Sequence, residues 1–260
     1  MPVPVCSLSF ELWTVAVNLP DRFKRFPGTP RPLAWCLVVV GMLALPALPA
    51  PARAQAPTSG GQKLVPLPIV LPQPMFEGTP RNLKVANLEK PRYKAREPFL
   101  APEGVTNVAR RKKVVSSDME PIIGELQMLT DGDRTGEEGS YVELGPGKQH
   151  VTVDLGAPHE VYAVLVWHFH NSPRIYFDVV IQMADDADFK QNVRTLFNND
   201  HDNTSGLGAG KDMNYIETSE GRLVDARGGI ARYVRLYSNG SNANELNNYV
   251  EVEVFGRLAK

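Results

Sequence analysis

From Thr106 onward, short apolar-rich runs alternate with turn-forming clusters. The runs KKVVSS, YVELG, HVTVDLG, VYAVLVWHF, IYFDVVIQMA, ARYVRLYS and YVEVEVFG are separated by Asp-Gly, Gly-Pro-Gly, Ala-Pro-His, Asn-Ser-Pro and Gly-Gly. Runs of that length with such boundaries read as β-strands. HVTVDLG alternates with period two, so Val151, Val153 and Leu155 share a face. VYAVLVW is nearly continuously apolar, which predicts a central strand covered on both faces. In YVEVEVFG, alternation puts Val250, Val252 and Val254 on one side and Tyr249, Glu251, Glu253 and Phe255 on the other. The stretch 185–229 is polar and glycine-rich and predicts a long loop. Within it, ADFKQNVRTLF reads as one helical turn or an irregular connection. The pattern predicts one all-β domain over residues 105–258, a sandwich.

The pattern before residue 105 differs. Residues 55–104 carry Pro57, Pro66, Pro68, Pro72, Pro74, Pro80, Pro91, Pro98 and Pro102. Proline lacks a donor and biases its predecessor toward extended backbone, which excludes helix and central strand. The segment predicts an extended linker or arm, apolar enough (LVPLPIVLP) to lie along a surface. Residues 1–54 read as a targeting segment. Leu33 to Leu48 is apolar and uncharged, with Arg22, Lys24, Arg25 and Arg31 before it and the small-x-small site Ala52-Arg53-Ala54 after it. The run is shorter than the roughly 20 residues of a membrane span. These features predict a signal peptide cut near Ala54, a secreted or periplasmic product, and no transmembrane span in the mature form.

Composition then narrows the function. Of 28 basic and 29 acidic residues, the segment to Ala54 removes five and two, leaving a mature chain near −4. A nucleic-acid binder normally shows a basic footprint, so that class is set aside. The run Arg110-Arg111-Lys112-Lys113 reads as a solvated stretch. Cys6 and Cys36 both leave with the leader, so no disulfide and no thiol chemistry is expected. Neither a Gly-x-Ser-x-Gly nor a phosphate-loop motif occurs.

Three clusters carry candidate chemistry. The turn Met128-Leu129-Thr130-Asp131-Gly132-Asp133-Arg134-Thr135 offers two carboxylates, a hydroxyl and a glycine, which suits a hard cation such as Ca²⁺. The plainer alternative is a tight Asp-Gly turn. The stretch from Trp167 to Tyr176 holds an aromatic plate, His168, His170, Arg174 and an amide. Such a set can stack a sugar face and hold its hydroxyls. Its alternatives are a packed strand end, or a transition-metal pair at His168 and His170 serving an enzyme, with His150, His159 or His201 as third ligand. The third cluster, Asn199-Asp200-His201-Asp202-Asn203, is a ligand rim, a second ion site, or a loop held by side-chain-to-backbone bonds. Asn242, Asn244, Asn247 and Asn248 lie in a further segment able to join a rim.

TNVARRKKVVSS, LTDGD, HVTVDLG, and ARYVRLY followed by EVEVFG occur in order over residues 106–256, and together they resemble the discoidin (factor V/VIII type C) family. The resemblance implies a galactose-binding-like jelly-roll β-sandwich, non-catalytic, usually binding carbohydrate or anionic lipid. It also implies a structural Ca²⁺ held by the side chains of Asp131, Asp133 and Glu251, the Thr135 hydroxyl, and the main-chain oxygens of Met128 and Val250. Glu253 would then be the solvent-facing carboxylate. Three features depart from the family: His150 stands where it has tryptophan, the terminal cysteines are absent, and Thr135 comes one residue early. The combined expectation is an exported carbohydrate-binding module contacting its ligand through Trp167, His168, His170, Arg174, Tyr176 and His201. The alternative is a module that docks an envelope protein and has no sugar site.

Overall fold

The structure is a computed structural model that describes residues 62–260 except 77–79, 81, 82, 91 and 93. The targeting segment expected over residues 1–54 lies outside the described residues. Among those described, no helix is long and apolar enough to cross a membrane.

The fold is all-β and antiparallel, as the alternation predicts. The described residues form ten strands: β1 (Leu64–Pro66), β2 (Leu100–Pro102), β3 (Thr106–Asn107), β4 (Lys113–Ser116), β5 (Val142–Leu144), β6 (Gln149–His168), β7 (Val180–Ala184), β8 (Arg194–Asn198), β9 (Arg222–Ser238) and β10 (Asn247–Leu258), with a 3₁₀ turn at Leu126–Thr130. One eight-stranded sheet has the order β3-β10-β6-β9-β7-β8, with β4 paired to β6 and β5 to β10. Two predicted runs, HVTVDLG and VYAVLVWHF, fuse into the single strand β6. The supposed loop 185–229 also yields structure: Arg194–Asn198 is a strand paired with β7, and β9 already begins at Arg222. Thr195, Leu196 and Phe197 suit a strand, but the polar residues around them obscure the pattern.

Two irregularities in β6 and β9 fold this sheet around one core. The register slips between Asp154 and His159, and again between Val161 and Ala163. Before the slips, Val151, Val153 and Leu155 enter the main core; after them, Val164 and Val166 do. The parity of inward residues has changed, which is what extra residues in a ladder produce. Both halves of β6 therefore line the same interior.

The second half of β6 is covered on its other face too. Ala163, Leu165 and Trp167 belong to a second buried cluster with Val105, Val250, Phe255 and, from the arm, Leu67 and Ala101. The arm covers this face because β1 and β2 pair as a short hairpin, Leu64 opposite Pro102 and Pro66 opposite Leu100. Proline at Pro66 and Pro102 keeps both strands to three residues by removing ladder donors. Further along, the arm is strapped to the loop before β9. Asn214 donates its amides to the Asn87 and Ala86 carbonyls, while Arg92 and Arg222 pair with Glu220 and Glu89 at 3.0 and 2.7 Å.

Trp167 is the one tryptophan within residues 62–260. Removing residues 62–104 is expected to red-shift its emission and lower the thermal midpoint, because the arm covers its face of the sheet. Leu67→Ala is expected to cost about 2 kcal/mol in urea unfolding.

Candidate functional site

The last strand breaks its own alternation. Tyr249 pairs with His168 and Glu251 with Trp167, so Val250 bulges out of the ladder. Tyr249 consequently joins Val252 and Val254 in the main core, and Val250 joins Phe255 in the second cluster. The strict alternation expected for YVEVEVFG fails at this one residue.

Both carboxylates of β10 are buried. Glu253 is 2% exposed, which corrects the expectation that it faces solvent. It is held there by Arg134, whose Nε donates to Glu253 Oε1 at 3.0 Å while Nη1 donates to the Gly132 carbonyl at 2.9 Å. The same guanidinium lies 5.8 Å from the Trp167 ring centroid. Glu251 is fully buried, and neither of its carboxylate oxygens has a hydrogen-bond partner. The Gly132 amide is near enough to favour its charged form, but not in hydrogen-bond geometry. Burial dominates and pushes the Glu251 carboxyl up to about 8, with Glu253 adding repulsion. A buried carboxylate without a partner is costly unless something else satisfies it.

The loop facing it is a set of nested turns. Asp131 Oδ1 accepts from the Asp133 amide at 2.7 Å, and Asp133 Oδ1 accepts from the Thr135 amide and hydroxyl at 2.9 and 2.8 Å. Gly132 has φ +92, a backbone conformation that side-chain-bearing residues rarely adopt, so glycine is favoured there. The Asp131 charge reaches Glu251 and raises its pKa further. Asp131, Asp133 and Thr135 are all exposed, and Met128 sits in the 3₁₀ turn, where its carbonyl accepts the Asp131 amide at 3.4 Å. Of the expected ion set, Asp131, Glu251 and the bulged Val250 carry the fit: two carboxylates and a residue outside the ladder. The side-chain oxygen donors Asp133 and Thr135 are turned toward each other.

The stretch after β6 fastens this loop. His170 donates from Nε2 to the Arg134 carbonyl at 2.8 Å, and Asn171 donates to the Gly136 carbonyl at 2.6 Å. Trp167, His168 and His170 are fully buried and Tyr176 is 1% exposed, so none offers a face to a sugar. Trp167 donates from Nε1 to the Ser219 carbonyl at 2.9 Å. Gly221 is forced there, since a side chain would collide with that indole. His168 donates from Nδ1 to Glu217 at 2.6 Å, both groups fully buried, and stacks on Tyr176 with ring centroids 4.6 Å apart. The two histidines thus bond to separate partners, and no histidine-containing metal group forms among the described residues. A transition-metal enzyme built on His168 and His170 is not supported by this arrangement.

Arg174 is the member of that stretch at the surface. It lies 4.4 Å over the Phe169 ring and donates to Asn248 Oδ1 at 3.1 Å. Phe169 meets Tyr141 edge to face at 5.2 Å. Together with Ile123, Gly136, Glu138 and Asn171 these two half-exposed rings line an open depression of about 500 Å³. Tyr141 and Phe169 were missed as site residues; only the aromatic character of each strand end could have flagged them. Asn247 and Asn248, expected on a rim, are buried in β10. There Asn247 bonds the Gly145 and Gly147 carbonyls, and Asn248 bonds Tyr176 and Glu143.

His201 stays apart, in the Asn199–Asn203 loop, with its Nε2 buried and unpartnered. That loop is held by side-chain-to-backbone bonds, Asp200 accepting from the Thr204 and Ser205 amides at 3.1 and 2.9 Å. Asp178, Asp200 and Asp202 gather within 4.8 Å there. Their oxygens are engaged by Thr204, Ser205 and Asn239.

No family model matches the chain, and no curated protein matches it. Among solved structures it is similar to a fucose binding module of Streptococcus pneumoniae, at 20% identity over 60% of this chain and 98% of that one, with a TM-score of 0.43. It is also similar to chitosan-binding module 1 of a chitosanase/glucanase from Paenibacillus sp. IK-5 (22% identity, 58% and 98% covered, TM-score 0.39). A third is the CBM32 of AlyQ in complex with 4,5-unsaturated mannuronic acid (19% identity, 55% and 93% covered, TM-score 0.40).

Arg134→Ala is expected to destabilise the chain by about 3 kcal/mol in chemical unfolding, because it strands a buried charge, and Glu253→Gln in the same chain to recover most of that loss. Glu251 sets a pH dependence. An unfolded chain loses this proton near pH 4.5 and the folded one near 8, so the folded state binds more protons between. Stability in a chelator is therefore expected to fall as pH rises through that window, and Glu251→Gln to flatten the slope.

Proposed function

We propose that this chain is an exported, non-catalytic module that binds carbohydrate in the depression lined by Tyr141 and Phe169. The half-exposed aromatic pair, flanked by Arg174, Asn171 and Glu138, is the observation that carries the reading. Sugars present apolar C–H faces to such rings and hydroxyls to charged and amide groups beside them. The depression is shallow and open, a form that suits a chain end or branch of a glycan. The leader-like first 54 residues and the absence of cysteine after them support export.

Calcium completes the site in this reading. Asp131 and Glu251 supply carboxylates, Met128 and Val250 carbonyls, and Thr135 and Asp133 further oxygens from the same loop. The unpartnered Glu251 carboxylate supports this assignment most directly. The ion would fix the loop whose Gly136 forms part of the depression's wall. A second reading is a protein-docking module of the cell envelope. It is favoured by Met119, Ile122 and Ile123, which are exposed in the segment leading to the depression.

In a glycan array, the full chain is expected to bind, and Phe169→Ala to lose at least about tenfold in affinity under conditions where circular dichroism shows the variant still folded. An array without binders, or an unaffected variant, overturns the sugar reading; retention of an envelope protein, lost on Met119→Ser with Ile122→Ser, would support the second. For the ion, calcium at a hundredfold excess over its dissociation constant is expected to stabilise by about 2.7 kcal/mol. Glu251→Gln should abolish that shift, and a shift that survives it assigns the ion elsewhere.

A further inference from the structure

A second cleft, of about 460 Å³, lies between the arm and the segment Tyr215–Arg222 and shares no lining residue with the first. Its volume falls within the range of small-molecule sites. The charged groups on its described walls are Lys90, Arg92, Lys94 and Arg222 against Glu89 and Glu220. Both carboxylates are already engaged, Glu220 by Arg92 at 3.0 Å and Glu89 by Arg222 at 2.7 Å. Lys90 and Lys94 have no carboxylate partner among the described residues. Among the described residues of these walls, positive charge is therefore in excess. Arg96 adds a further cation beside these groups: burial lowers its pKa, Glu220 opposes that shift, Arg92 and Arg222 add to it, and its guanidinium donates to the Gly221 carbonyl at 3.1 Å.

The remaining surface is apolar or aromatic. Met75 and Phe76 come from the arm, and Tyr215 from the sandwich side, braced by the Arg222 guanidinium 4.5 Å over its ring. Tyr215 is 6% exposed, and its hydroxyl is buried without a partner, as is Arg222 Nε. A ligand that suits these walls carries a negative charge, a ring with an apolar face, and polar groups able to meet the unpartnered donors. Arg92 and Arg222 each already face a carboxylate, which leaves Lys90 and Lys94 as point charges turned toward an anionic group.

We propose that this cleft binds a carboxylated saccharide, a uronate unit whose carboxylate lies between Lys90 and Lys94 and whose ring lies against Phe76. This deepens the carbohydrate reading by adding a second site with acid specificity, and it rests on that reading only for the saccharide character of the ligand.

The test is calorimetric titration of the full chain with oligogalacturonate and with the same oligomer fully methyl-esterified. The acid form is expected to bind about tenfold more tightly, with affinity falling as salt rises. Lys90→Gln with Lys94→Gln should abolish that preference, and Phe76→Ala should weaken both forms. Equal binding of acid and ester, or a preference that survives the lysine changes, overturns the proposal. Inorganic sulfate that displaces the oligomer at comparable concentration would also overturn it, by showing a general anion site. Titration of Phe169→Ala separates the two readings. Loss of acid binding there, with the lysine variant unaffected, moves the site to the first depression. Retained acid binding in a chain that fails the glycan array leaves the cleft standing without the depression.

Discussion

Two carboxylates two residues apart on one buried strand set the terms for the loop end of this domain. Buried charges must be paired or neutralised, and Glu253 and Glu251 meet that requirement differently. Glu253 draws Arg134 inward, and the loop carrying Arg134 closes over β10 as a result. His170 and Asn171 then bind that loop by its carbonyls, which places Phe169 at the surface beside Tyr141. Glu251 is left with no side-chain or backbone donor. The geometry of the depression thus follows from an electrostatic demand several residues away.

The all-β class and nearly every strand of the sandwich were legible because period-two alternation and turn residues carry most of the information about sheets. The two-faced burial of VYAVLVW was readable for the same reason. The bulge at Val250 was not, since a single extra residue leaves no mark in the hydrophobic pattern and reassigns Tyr249 and Val250 to opposite faces. Nor could the sequence show that Trp167 and His168 are interior. An aromatic beside a histidine at a strand end reads alike whether it meets solvent or an arm from another part of the chain. Glu251 was singled out by position, whereas the burial of Glu253 depended on a partner 119 residues away.

The arm explains a further share of the surprise. Its prolines rule out helix and long strand, yet Leu67 and Ala101 bury enough apolar surface to seat it on the sheet. Burial of a side chain such as Leu67 contributes about 1.5–3 kcal/mol. The charged middle of the arm is then held by polar bonds from Asn214, Glu220 and Arg222 rather than by packing. One segment therefore uses apolar contact at its ends and ionic contact between them, and the cleft lies where the second kind dominates.

β10 pairs with β3, β5 and β6 and supplies Tyr249, Val252 and Val254 to the core. During synthesis, the earlier strands must wait for residues 247–258 to emerge before the interior can close. Until then the valine-rich β6 has an open edge, because its partners in β10 lie 81 (249 − 168) to 99 (258 − 159) residues further along the chain. Assembly is consequently a non-local event, and the nascent chain stays aggregation-prone until residues 247–258 can pair.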